Sequence, residues 1–298
     1  MKAIRVHRHG GPDVLAYEDV DIGQPGPGEV RVRNRAVGLN FVDIYFRTGE
    51  YAPPALPFIP GNEGAGEIVA VGEGVSGFAP GDRVAYVETL GGYAEERIVP
   101  AHFVVHLPDA IDFETGAAMM LKGLTAQYLL RRTFRVEAGH TILVHAAAGG
   151  VGLILTQWAK HLGAIVIATV GSPEKAELAR ANGCDLYDGV GNATFPASLD
   201  CLRPFGTFVS YGTASGSIPP FDIMLLMQKG SLFATWQLLF HHLARREDVV
   251  AMSEDLFSVV LSGAVKIPVH TSMPLAEVAE AHRRLEARQT TGATVLIP

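Results

Sequence analysis

The sequence predicts an α/β protein in two parts, a small β-barrel followed by a doubly wound parallel sheet. Three observations point there. Up to about Pro108, short β-branched runs are separated by glycine and proline turns. From about Asp112, apolar strands alternate with helices. Between one of those strands and its helix stands a glycine-rich turn. At 298 residues the chain suits two domains of about 100–200 residues each.

In the first part, Val30–Arg33, Gly66–Val71 and Asp82–Val87 read as strands. The clusters Gln24–Gly28, Gly72–Gly74 and Ala79–Asp82 supply the turns between them. In the second, Phe113–Arg131 reads as a helix, with Leu121, Leu124, Tyr128 and Leu129 at helical spacing. Thr141–Val144 is a strand, Gly150–Leu162 a helix and Ala164–Val170 a strand. Pro173–Asn182 forms a helix with Gly183 just past its end. Later strands are expected at Gly206–Tyr211 and Ser231–Trp236. The tail offers Ile267–Val269, a helix over Leu275–Ala287 and a strand over Thr294–Ile297. Strands apolar on both faces, joined by helices, make a parallel sheet.

The chemistry concentrates in His145–Gly152, directly after one strand and before a helix. In a dinucleotide-binding turn, glycines allow the bend, the backbone's approach to pyrophosphate and close helix–strand packing. Ala147 takes the first glycine position, Gly149 the second and Gly152 the third, with Gly150 and Val151 between. The free N–H groups at the helix start then bind the phosphates. An NAD site offers a carboxylate about 20 residues on. Here that place reads Val170–Lys175: Gly171 has no side chain, Ser172 can donate and Lys175 can meet a 2′-phosphate, with Glu174 as the rival. NADPH is the expected cofactor.

Composition narrows the rest. A net charge of −7 argues against nucleic acid, and two cysteines, Cys184 and Cys201, cannot build a disulfide framework. The opening Met1–Arg5 lacks an apolar secretory core, and Ile142–Ala159 is interrupted by glycine, His145 and Gln157. A soluble cytoplasmic protein without a membrane partner is expected. There is no G-x-x-x-x-G-K-[ST], H-E-x-x-H or G-x-S-x-G. His102 with His106, and His241 with His242, read as ordinary histidines, so no metal is assigned.

Taken together, the chain resembles the zinc-free quinone oxidoreductase (zeta-crystallin-like) family of the medium-chain dehydrogenase/reductase superfamily. The matching stretches are Gly38–Asp43, Phe46–Tyr51, Pro57–Gly66, Leu121–Thr125, Ala147–Gly152 and Ser198–Arg203. Asn40 and Asn62 stand where zinc-dependent relatives have cysteine and histidine, and an amide is a poor zinc ligand. The resemblance implies a GroES-like barrel catalytic domain, 1–123 with 262–298, and a Rossmann cofactor domain, 124–261. It places Asn40 and Thr125 beside the nicotinamide, with Asp43, Tyr45 and Tyr51 lining the substrate pocket. Tyr51 either donates its hydroxyl to a substrate carbonyl or packs the cleft wall, and Asp43 either lines the site or ties down a loop. Val190, Gly191, Tyr211 and Gly212 join the cofactor contacts, and Arg288 meets the 2′-phosphate beside Lys175. Reduction of a small quinone or enone by NADPH in a homodimer is the implied activity. The rivals are an enone or alkenal reductase and a non-catalytic NADPH-binding or RNA-interacting protein.

One interval departs from the family. Between Gly183 and Gly191 there is no room for the strand, helix and strand that relatives carry, since one βαβ step takes about 30 residues. About one α/β step is absent, with the tyrosine near the cofactor phosphate. A genuine deletion, a shortened form and a sequence with residues omitted all stay open; the well-matched flanks favour the last. Thr213 and Thr235–Gln237 are smaller departures.

Overall fold

In a computed structural model, residues 1–53, 55–88, 90–170, 186–188, 194–211 and 218–298 are described. The chain opens with the antiparallel hairpin β1 (Lys2–Val6) and β2 (Leu15–Asp19). Next come β3 (Glu29–Gly38), α1 (Phe41–Thr48), β4 (Glu63–Val71), β5 (Arg83–Val87), β6 (Glu96–Pro100) and β7 (Val104–His106). In β3 burial alternates, with Val30, Val32 and Asn34 inward, as a half-buried strand requires. Asn40 caps α1 and Gly49, at φ 88°, ends it in the left-handed conformation that glycine adopts without a Cβ clash. α1 buries Asp43, Ile44, Phe46 and Arg47 on one face, a pattern only about two turns long.

Helix α2 (Phe113–Tyr128) starts at Asp112, whose carboxylate accepts the Thr115 N–H at 2.7 Å. It then runs buried between the two halves, packing on β3, β4 and the later helices. Beyond it lie β8 (Thr141–Val144), α3 (Gly150–His161), β9 (Ile165–Thr169), β10 (Leu186–Asp188), α4 (Thr194–Asp200) and β11 (Thr207–Ser210). They are followed by α5 (Met224–Gln228), β12 (Phe233–Trp236), α6 (Leu239–His242) and α7 (Arg246–Leu261). The chain closes with β13 (Val269–Pro274), α8 (Val278–Glu286) and β14 (Ala293–Ile297). The tail strands return to the first half: β14 pairs antiparallel with β3, and β13 parallel with β14.

Two features differ from expectation. The barrel strands follow an open hydrogen-bonded path, β13-β14-β3-β4-β5-β7 with β6 on β3, rather than a closed ring among the described residues. The parallel sheet is divided: β10-β9-β8 forms one piece and β11-β12 another. In a doubly wound sheet of order 3-2-1-4-5-6, the fourth strand lies beside the first. Here the strand preceding Gly189–Gly191 pairs with β9 instead, in the third place, and no described strand lies between β8 and β11. β10 pairs parallel with β9, as β9 does with β8. The two pieces are joined by side chains, with Val209 and Tyr211 packed on the core that includes Val144, Leu155 and Trp158.

Candidate active site

After β8, the backbone turns sharply into α3. Ala146 takes φ 52°, so the left-handed residue is Ala146 and not Ala147, where the motif's first glycine was expected. Ala147 is instead buried, its N–H donated to Thr169 O at 3.2 Å. His145 ties the turn to its neighbours, with Nδ1 2.8 Å from Thr169 Oγ1 and Nε2 2.9 Å from Ser198 Oγ. Gly152 packs against the turn: a Cβ would come within 2.6 Å of Ala147 Cα and closer still to Ala146 O. Gly149 is the N-cap and no side chain caps α3, so the first-turn N–H groups are left for a ligand at the positive end of the helix. The turn fits a pyrophosphate.

Tyr45 and Tyr51 come together toward the C-terminal end of α1, and Asn40 stands at its N-cap. Tyr45 and Tyr51 rings lie 5.2 Å apart, and the Tyr51 N–H bonds to Tyr45 O at 3.0 Å, folding the following loop back on the helix. Tyr51 is 37% exposed, and burial, then Tyr45 and Glu50, raise its pKa, so its hydroxyl keeps its proton. Asp43 stands beneath this wall rather than in it: it is fully buried and binds Asn40 N at 2.8 Å, Tyr93 OH at 2.7 Å and the Asn62 amide. Of the two expected roles, its contacts are those of a loop tie. Burial raises its pKa to about 6 against the hydrogen bonds that lower it. Asn62, where zinc relatives have histidine, donates to Asp43, so neutral amides bonded to carboxylates fill that place and do not fit a zinc site.

Several residues at this site are not singled out as site residues from the sequence, although Arg47, Glu63 and Lys122 lie in its matching stretches. Glu63 accepts from Asn40, Lys122 and the Leu121 N–H. Behind Asp43, Tyr93 OH lies 3.2 Å from His282 Nε2, and His282 Nδ1 lies 3.1 Å from Arg47 Nη1. Arg47 pairs with Glu286. The available sequence signals are those stretches and Lys122 itself, a lone charge in the run Ala117–Leu130. Thr125 is buried on α2, its hydroxyl donated to Leu121 O at 2.7 Å.

On the cofactor side, Tyr211 is half-buried, which pushes its pKa up to about 12. Arg288 follows α8 in the left-handed conformation, φ 56°, and the tail beyond it reaches the turn, with Gly292 O 3.6 Å from a Cβ built on Gly150. Gly171, Ser172, Lys175, Val190, Gly191 and Gly212 lie outside the described residues. No described helix is long and apolar enough to cross a membrane.

Residues 26–109 match the alcohol dehydrogenase GroES-like domain, and residues 162–296 the family described as zinc-binding dehydrogenase. A quinone oxidoreductase of Pseudomonas aeruginosa is 48% identical over 323 aligned positions, covering 100% of this chain and 99% of the relative. That alignment is longer than the 298 residues here, so the relative carries residues this chain lacks. A 2-haloacrylate reductase from a Burkholderia species is 41% identical, covering 100% of this chain and 99% of the relative. Among solved structures, the Escherichia coli quinone oxidoreductase complexed with NADPH matches with TM-score 0.96 and 40% identity, covering 100% of both chains. A mycobacterial protein, also complexed with NADPH, matches with TM-score 0.95 and 42% identity, again covering 100% of both.

Proposed function

The chain belongs to the quinone oxidoreductase family of the medium-chain dehydrogenase/reductases, and on that premise we propose that it reduces a small quinone with NADPH. The observation that carries this reading is the uncapped α3 turn, whose Gly150 lies against Lys122 of the Asn40–Glu63–Lys122 cluster. NADPH supplies the reducing equivalents as hydride. The α3 N–H groups would hold its pyrophosphate, and Asn40 and Thr125 would flank the nicotinamide. Thr125 has committed its proton to Leu121 O, so it offers lone pairs to the carboxamide. Tyr45 and Tyr51 form an aromatic wall that excludes water, and the protonated Tyr51 hydroxyl can donate to a quinone oxygen. A reduced quinone is an acidic phenol, so no strong general acid is needed.

Stopped-flow loss of NADPH absorbance tests the proposal. Turnover is expected with 1,4-benzoquinone or naphthoquinone, exceeding that with 2-haloacrylate or simple enones. Oxidation no faster than the uncatalysed background would refute it, and faster turnover on the enones would reassign the substrate.

We further divide the chain as 1–123 with 262–298 and 124–261, α2 being shared across the first boundary. A homodimer formed through β12 is also proposed. On this edge strand Phe233 is 61% exposed and Trp236 47%, a surface suited to a twofold-related copy. Light scattering should then give twice the 31.8 kDa chain mass. A cytoplasmic location accords with the acidic composition and lack of a disulfide framework.

Arg288 is assigned to the 2′-phosphate. At the end of α8 its left-handed backbone would suit glycine, and an arginine there costs about 1 kcal/mol. Arg288→Gly should therefore raise stability by about 1 kcal/mol while weakening NADPH at least about tenfold and leaving NADH unchanged. Unfolding midpoints and nucleotide titrations would show it; equal loss of both nucleotides would remove Arg288 from the phosphate.

A further inference from the structure

A single buried carboxylate links the parts of this site. Glu63, on β4, is wholly buried; Oε1 accepts from Lys122 Nζ at 2.7 Å and from Asn40 Nδ2 at 2.8 Å, and Oε2 accepts the Leu121 N–H at 2.6 Å. The Lys122 stem lies against α3, with Cδ 2.8 Å from a Cβ built on Gly150. Gly38 makes the room: a Cβ there would stand 2.6 Å from Glu63 Cδ. Thus the cap of α1, the middle of α2 and the first residue of α3 converge on one ion pair.

Stability is a weak reason for such a pair. Removing two charges from water offsets most of their attraction, and apolar replacements are often as stable. Orientation is a better one. An ionised carboxylate only accepts, so the Asn40 amide must turn Nδ2 toward Glu63 and Oδ1 away from it. Neither Asn40 nor Gly150 can then shift without disturbing the other's support.

We propose that the Glu63–Lys122 pair is a positioning device for hydride transfer, holding the Asn40 amide and the Gly150 turn in register. The inference rests on the NADPH-reductase reading. Displacements of about 1 Å at such sites can cost about a hundredfold in rate.

The test compares the full chain with Glu63→Gln/Lys122→Met, each with and without Asn40→Ala. Removing both charges avoids an unpaired buried ion. Against the parent, the double variant should keep its unfolding midpoint within a few degrees and its NADPH affinity within about threefold. Its kcat at saturating NADPH should fall at least about tenfold, and the fluorescence of bound nicotinamide should change. In the Asn40→Ala background the same pair of substitutions should have a smaller further effect on kcat than in the parent, because much of their action runs through Asn40. Unaltered kcat and nicotinamide emission in the double variant, or losses that simply multiply with Asn40→Ala, would overturn the proposal. A parent chain that binds NADPH but reduces no quinone would defeat the underlying reading instead.

Discussion

Gly152→Ala is expected to remove saturable NADPH binding. The added Cβ would meet Ala147 Cα at 2.6 Å and Ala146 O closer still, and both are backbone atoms that cannot swing aside. The turn must open, moving the N–H groups at the start of α3 away from the pyrophosphate. A loss of at least about a hundredfold in affinity, about 2.7 kcal/mol, is expected, together with a lower unfolding midpoint. Gly149→Ala makes the informative contrast. Its Cβ would touch only Ala146 O, at 3.1 Å, which a small shift relieves. This variant should retain most of its stability yet bind NADPH weakly, because the new methyl obstructs the phosphate's approach. Nucleotide titration by fluorescence, alongside thermal unfolding, separates the two. Undiminished affinity in Gly152→Ala would mean that the turn does not hold the cofactor.

Acid stability should divide between two buried groups of opposite sign. Burial, aided by the Arg47 charge, lowers the His282 pKa from 6.5 to about 3, whereas burial raises Asp43 from 3.8 to about 6. Below pH 6.5 the unfolded chain binds the histidine proton that the folded one refuses, so stability is lost as pH falls toward 3. For Asp43 the folded chain binds the proton more tightly, so its contribution is present below pH 3.8 and lost as pH rises through about 6. Each shift represents roughly 3–5 kcal/mol, and the two nearly cancel between pH 4 and 6. Relative to the parent, His282→Gln should gain about 3 kcal/mol on going from pH 7 to 4, and Asp43→Asn should lose about as much. Denaturant unfolding at the two pH values checks both; parallel pH profiles for parent and variants would contradict the assignment.

The elements most legible in the sequence are those whose cause is local. The α3 turn is written in a few contiguous residues, and the strand before it and the helix after it have long apolar patterns. Asn40, Tyr45 and Tyr51 are named only through the family resemblance; the structure sets Asn40 at the N-cap of α1 and packs Tyr45 on Tyr51. The placement of Asp43 was not legible. Its partner Tyr93 is 50 residues away, and His282 lies 189 residues beyond Tyr93, so only the packed fold turns a candidate wall residue into a buried tie. Glu63 escaped for the same reason, since its bonds to Lys122 and Leu121 span 59 and 58 residues.

By itself the sequence determined the two-part α/β architecture and the dinucleotide turn, because hydrophobic period and glycine placement act within a few residues. Tertiary structure alone decided that β10 lies beside β9, that the barrel path stays open among the described residues, and that Glu63 and Lys122 face each other. Strand neighbours and buried charges are chosen by which distant surfaces meet, and no local pattern encodes that choice.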